Sequence, residues 1–148
     1  MHIPFPYLLA IAFRSVVDEL DDYLERLGFG DVRPAYGFAF AAIAAGVTTG
    51  ELARRLDITK QAAAQLVSTF EAAGYVKRSQ DGADRRVVRL KLTSRGRRCT
   101  ELVDSFFAAR ECQWSEALGA STFASFRASL ETIIKGSGDG EFRLRPVW

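Results

Sequence analysis

The sequence predicts a mainly α-helical chain with one small β-hairpin, an α+β arrangement built around a helix–turn–helix and flanked by long terminal helices. Three observations carry this. Apolar residues recur at three- and four-residue spacing over much of the chain. A tight turn separates two helical segments near the middle. Two strand-like runs joined by turn-forming residues follow directly. The 148 residues, 48% hydrophobic and 26% charged, suit a single domain over 1–148 with a core of its own.

Leu9, Phe13, Val16, Leu20, Leu24 and Leu27 form one apolar stripe, which predicts a first helix over about 7–27. Gly28 and Gly30 end it. Arg33-Pro34 suits a turn or the first turn of a second helix. That helix runs to about Ala45 and is apolar nearly all round, as a buried element should be.

Thr49 is a candidate cap for a third helix, Gly50 to Leu56, and Thr59 for a fourth, Lys60 to Ala73, closed by Gly74. Leu52, Leu56, Ile58, Ala63, Leu66, Val67 and Phe70 then form a small core. Gln61, Ala64, Gln65, Ser68 and Thr69 fall on the opposite face. Tyr75–Ser79 and Arg86–Leu92 read as strands. Gln80–Asp84 between them is turn chemistry. Thr93 or Ser94 caps a long helix to about Leu118. Ser121 or Thr122 caps the last, which carries Phe123, Phe126, Leu130, Ile133 and Ile134. The tail 136–148 is flexible by composition.

Composition narrows the function. The longest apolar run is short of the roughly 20 residues needed to span a bilayer, so no membrane segment is expected. Met1–Ala12 has no positive n-region of a signal peptide. A cytoplasmic protein follows as the expectation. Cys99 and Cys112 fall on one predicted helix, roughly 20 Å apart at about 1.5 Å per residue. A bridge needs Cα atoms within about 7 Å. Two free thiols are expected, with a redox bridge across a dimer interface as the alternative. His2 is the single histidine, so neither a zinc site nor a common catalytic triad is expected. HExxH, GxSxG, GxGxxG and phosphate-loop motifs are absent from the sequence. The sequence implies neither an enzyme nor a cofactor.

The net charge of +2 is unevenly spread. Residues 1–50 carry net −3, residues 51–98 net +7 and residues 99–148 net −2. A concentrated positive segment attracts polyanions, because neutralising phosphates releases condensed counterions.

The stretch Glu51-Leu-Ala-Arg-Arg-Leu-Asp-Ile-Thr-Lys-Gln-Ala-Ala-Ala-Gln-Leu-Val, the run Glu71-Ala-Ala-Gly-Tyr-Val, and Asp84-Arg-Arg-Val-Val-Arg-Leu-Lys-Leu-Thr93 resemble the MarR family of winged helix-turn-helix transcriptional regulators. The most specific part is Asp84-x-Arg86 followed by Leu92-Thr93. The resemblance covers roughly residues 7–135. It implies a DNA-binding lobe over about 47–93, a β-hairpin wing, and dimerisation helices over about 7–27 and 94–135.

The residues themselves support DNA reading. Gln61 and Gln65 lie one turn apart on the exposed face, and glutamine pairs bidentately with adenine. Thr59 and Lys60 sit at a helix N-terminus, which favours phosphate. Ala64 offers a methyl contact, and Ser68 and Thr69 continue the face. By resemblance, Arg86 reaches the minor groove or its phosphates, Asp84 orients it, and Arg85 adds a phosphate contact. Two departures stand out. Thr69 occupies a position where many members carry arginine, and the first helix lacks the cysteine of the peroxide-sensing branch.

The resemblance also implies a homodimer built from the terminal helices through Leu9, Phe13, Val16, Phe106, Phe107, Trp114, Phe126, Leu130 and Ile133. The expected partners are double-stranded DNA, read as a pseudo-palindrome, and a second copy of the chain. A small aromatic or lipophilic effector held near Tyr36, Phe40 and Phe107 completes the expected set. The alternative is a winged helix for protein–protein contact or for DNA binding without sequence preference.

Overall fold

The structure, a computed structural model, describes residues 2–136. The elements run α1 (Phe5–Arg26), α2 (Tyr36–Ala44), α3 (Thr49–Leu56), α4 (Lys60–Ala72), β1 (Val76–Gln80), β2 (Val88–Leu92), α5 (Ser94–Leu118) and α6 (Ala120–Gly136). The expected tail therefore loses Gly136 to α6, and its remainder lies outside the described residues.

α1 buries Val16, Val17, Leu20 and Leu24. Leu27 departs from the expected stripe and is exposed, because the helix ends there. Gly28 then takes φ +84° and Phe29 N–H donates to the Leu24 carbonyl, a left-handed exit that glycine adopts without strain. Arg33-Pro34 belongs to the turn before α2, whose amides Tyr36 and Gly37 donate to the Arg33 and Pro34 carbonyls.

The cap of α3 is Thr48, not Thr49. Its hydroxyl accepts from Glu51 N–H while the Glu51 carboxylate accepts from Thr48 N–H, a reciprocal capping box. The adjacent Glu51 selects between the two threonines. Asp57 turns the chain through a left-handed conformation, φ 52°. Thr59 then caps α4 by accepting from Ala62 N–H.

β1 and β2 pair antiparallel with Val76 opposite Leu92 and Gln80 opposite Val88. The hairpin loop is longer than expected. Arg86 and Val87 belong to it, since Val87 N–H donates to Asp84 and closes a turn. Leu90 N–H donates to the Val47 carbonyl, so the segment before α3 joins the outer edge of β2.

Thr93 caps α5. Gly96 lies against the Tyr75 carbonyl so closely that a Cβ there would sit 2.2 Å from the oxygen, and only glycine fits. α6 starts immediately after Gly119, with Phe123 N–H donating to the Gly119 carbonyl. Ser121 and Thr122 are inside its first turn and do not cap it.

One core holds these elements. Leu24, Ile43, Leu52, Val67, Phe70, Tyr75, Leu90 and Cys99 are its largest fully buried side chains. Ile58 and Leu66, expected in it, are half-buried at its edge. Cys99 and Cys112 both lie on α5 as free thiols, and burial pushes the Cys99 thiol up to about 11. Among the described residues, no helix is long and apolar enough to cross a membrane.

Candidate nucleic-acid interface

The candidate reading surface is one side of α4. Ala63, Val67 and Phe70 point into the core. Helical geometry therefore turns Gln61, Ala64, Gln65, Ser68 and Thr69 outward, and all five are exposed. Thr59 and Lys60 are exposed at the N-terminal end. The Thr69 hydroxyl donates to the Gln65 carbonyl at 3.1 Å. Its proton is thus engaged, and it offers an approaching group lone pairs rather than a donor.

The hairpin tip places Arg85 and Arg86 in solvent, with the Arg86 side chain 92% exposed. Asp84 holds Arg86 twice: Nε donates to Oδ1 at 3.2 Å and Nη2 to Oδ2 at 3.3 Å. The same carboxylate accepts from Arg86 N–H at 3.0 Å. These bonds keep the Asp84 carboxyl below the usual aspartate range and hold the guanidinium in one presented orientation.

Arg89 has a different task. Its Nε donates to Asp81, its Nη1 donates to the Gly46 carbonyl at 2.9 Å, and Glu51 lies 3.8 Å away. The arginine ties the wing to the turn before α3. It also lowers the Asp81 carboxyl, while Thr48 N–H is the main cause of the lowered Glu51 carboxyl. Lys77 faces Lys91 directly across the hairpin. Such a like-charge pair adds to the positive field at a small local cost.

The proposed interface residues divide. Phe13, Phe107, Trp114, Phe126 and Ile133 are exposed on the single chain, as are Ile11, Leu118 and Ile134. Leu9, Phe106 and Leu130 are half-buried. Val16 does not belong with them: at 7% exposed it packs inside its own chain, because its stripe turns toward α5 and the core. α5 and α6 are joined by Arg127–Glu111 at 2.7 Å and by Trp114 against Phe123. α1 is joined to α5 by Arg110–Glu19 and by Tyr23 against Phe106, 5.4 Å between rings.

Between α1, α2 and α5 lies a cavity of about 340 Å³, walled mainly by Phe13, Val17, Leu20, Phe38, Phe40, Val103 and Phe107. Arg33, Thr100 and Asp104 supply polar groups at its margin. Phe40 and Phe107 line it as expected residues of a pocket. Tyr36 does not line it. Its ring packs edge-on against Phe70 instead, 4.8 Å between centroids.

A protein-family model described as the MarR family matches residues 38–87. Solved structures share the fold over about nine-tenths of the chain. FabT of Streptococcus pneumoniae, solved in complex with DNA, superposes with a TM-score of 0.76 at 24% identity over 88% of this chain and 92% of that one. MepR of S. aureus, also solved with DNA, superposes at 0.70 with 20% identity over 91% and 97%. MarR of E. coli in its reduced form superposes at 0.69 with 23% identity over 90% and 98%. No curated protein matches the chain by sequence. The chain has the winged-helix fold of these structures, and the MarR-family match lies over its residues 38–87.

The winged-helix lobe contains structural residues that the motif did not reveal. Arg89 was legible only as a wing cation. Asp31, Tyr75 and Arg95 form an ionic and aromatic junction between the loop before α2, the residue that precedes β1 and the start of α5. Their separation along the chain left no periodic signal. α5 grips this junction through Thr93, whose hydroxyl donates to the Gly74 carbonyl and whose N–H donates to the Tyr75 carbonyl.

Proposed function

We propose that the protein is a transcriptional regulator that binds double-stranded DNA as a homodimer and represses by occupying a pseudo-palindromic operator. The carrying observation is the exposed polar row Gln61, Gln65 and Ser68 on α4, beside the presented Arg86 of the wing. Gln61 and Gln65 read base edges in the major groove, where glutamine pairs with adenine. Ala64 contacts a thymine methyl. The capped N-terminus at Thr59 and Lys60 faces phosphate. Arg86, oriented by Asp84, enters the minor groove, with Arg85 on the flanking phosphates; a narrow A·T-rich groove favours it. The MepR and FabT structures with DNA support this reading.

Dimerisation supplies the second half-site. The exposed apolar residues of α1, α5 and α6 form surfaces that a second chain covers, and two recognition helices about one DNA turn apart then read an inverted repeat. The cavity between α1, α2 and α5 takes a small aromatic or lipophilic effector, whose occupancy favours a lobe spacing that does not fit DNA.

The test is selection of the purified protein against a random duplex pool at about 150 mM salt, which suppresses weak electrostatic binding. An enriched inverted repeat is the expected outcome. Weak, salt-sensitive binding with no enriched sequence would instead mark a winged helix that does not read sequence.

A further inference from the structure

The cavity and the recognition helix share a wall. Phe40 lines the cavity and also packs on Phe70, 4.8 Å between rings, and on Tyr75, 5.5 Å. Phe70 sits in the last turn of α4, and Tyr75 is the first residue after the glycine that ends it. The C-terminal end of the reading helix therefore rests on a side chain that the cavity touches.

A second path runs through the loop before α2. Val32, Arg33 and Pro34 border the cavity, and Asp31 precedes them. The loop is stiffened by successive turns, with Val32 N–H on the Phe29 carbonyl at 3.0 Å and Tyr36 N–H on Arg33 at 2.8 Å. Asp31 accepts a 2.5 Å hydrogen bond from the Tyr75 hydroxyl. Arg95 donates to that hydroxyl at 2.9 Å and to the Gly28 carbonyl at 3.1 Å. Its guanidinium lies over both the Phe29 and Tyr75 rings, 4.8 and 4.7 Å from their centres. Loop, α5 and the end of α4 meet at one tyrosine.

We infer that Asp31, Tyr75 and Arg95 are positioning residues that carry the state of the cavity to α4. A group entering the cavity presses on the Val32–Pro34 wall. Because the loop is stiff and packed interiors shift between discrete arrangements rather than deforming, the displacement reaches Asp31 and moves Tyr75 with the end of α4. The inference rests on the DNA-binding reading for its functional output, but not for its mechanical one.

The experiment fills the cavity from within. Gly37 lines it, and a Cβ added there meets nothing within 4 Å. Gly37→Phe is the filling variant, with Ala41→Phe as a second should the first fail to fold. Each is combined with Tyr75→Phe, which keeps the ring and removes the hydroxyl, and with Asp31→Asn. Two readouts are taken: affinity for a selected duplex, and amide hydrogen exchange over Phe70–Val76.

The expected result is that Gly37→Phe weakens DNA binding on the order of tenfold and speeds exchange at Phe70–Val76. In the Tyr75→Phe and Asp31→Asn backgrounds both effects shrink to less than about twofold. A merely structural role for the junction predicts additive effects, so equal responses in all backgrounds would overturn the inference. An absence of response in any background would do the same. Failure of every form to bind DNA, with the exchange response still lost in Tyr75→Phe, would sink the DNA-binding reading while sustaining the junction.

Discussion

From Val47 to Leu102 the chain tucks most of its large apolar side chains into one core, whereas the first turns of α1, the far half of α5 and all of α6 leave theirs exposed or half-buried. α6 has no buried residue at all, although Phe126, Ile133 and Ile134 recur along it at helical spacing. Both regions are built from amphipathic helices. In the lobe the apolar side meets α2, the hairpin and the start of α5, and the side left over is polar and basic. At the helical ends the apolar side meets little of its own chain. The lobe thus closes its apolar side, with α1 and α2 contributing to the same core, and leaves a polar, basic surface, while the ends leave an apolar one.

The largest effect is expected from charging the ends. Phe126→Glu combined with Ile133→Glu on α6 should convert a dimer to a monomer in sedimentation. It should also weaken operator binding by at least about 100-fold, the avidity a linked second site contributes. A double variant that still sediments as a dimer would place the interface elsewhere.

Truncation at matched size sharpens the contrast. Leu90, 0% exposed, belongs to the lobe core, whereas Ile134 on α6 is 50% exposed. Leu90→Ala should cost about 2–5 kcal/mol in urea unfolding. Ile134→Ala, measured in the monomeric background, should cost under about 0.5 kcal/mol. Similar losses at both sites would mean that α6 packs on its own chain.

Within the lobe surface, the helix and the wing should differ in kind. Gln65→Ala should cost about 1–3 kcal/mol at a single base position and relax specificity there. Arg86→Ala should weaken binding across sequences and reduce the salt slope by about 1. Specificity lost on Arg86→Ala and kept on Gln65→Ala would exchange their roles.

The smallest effect is acid sensitivity of the wing. Asp81 and Asp84 are held low by Arg89 and Arg86, and Glu51 by the Thr48 amide. A carboxylate lowered in the folded state stabilises it above the unfolded value, about 4. That contribution fades as the pH falls through the lower folded value. The Arg89 Nε–H resonance should therefore persist to below pH ~4 and then be lost, with little change in global stability because these ion pairs lie at the surface, half-buried at most. Arg89→Gln should release the wing at every pH. Loss of the resonance well above that range would show that the carboxylates are not what anchors it.

How much of this was readable in advance follows the range of the interactions. The reading face of α4 was legible because Thr59, Gln61 and Gln65 are placed by three- and four-residue spacing against Ala63, Val67 and Phe70. The hairpin is legible from alternation at Val88, Leu90 and Leu92, though its loop extends through Arg86 and Val87, beyond the turn residues the sequence marks. Finer local choices went astray where one more neighbour decided them. Glu51 selects Thr48 over Thr49 as the cap, and Gly119 starts α6 without help from Ser121 or Thr122. Val16 and Phe13 belong to one stripe in the sequence, yet one is interior and the other is at a surface.

Helix periods, caps, turn residues and the placement of positive charge are local properties, and linear order alone was enough to determine them. Which residues close the chain on itself was decided only in three dimensions. Arg89 reaches the Gly46 carbonyl 43 positions back, and Tyr75 reaches Asp31 across 44. No periodicity encodes such pairs, because their geometry exists only once packing of the intervening helices has fixed where each backbone runs.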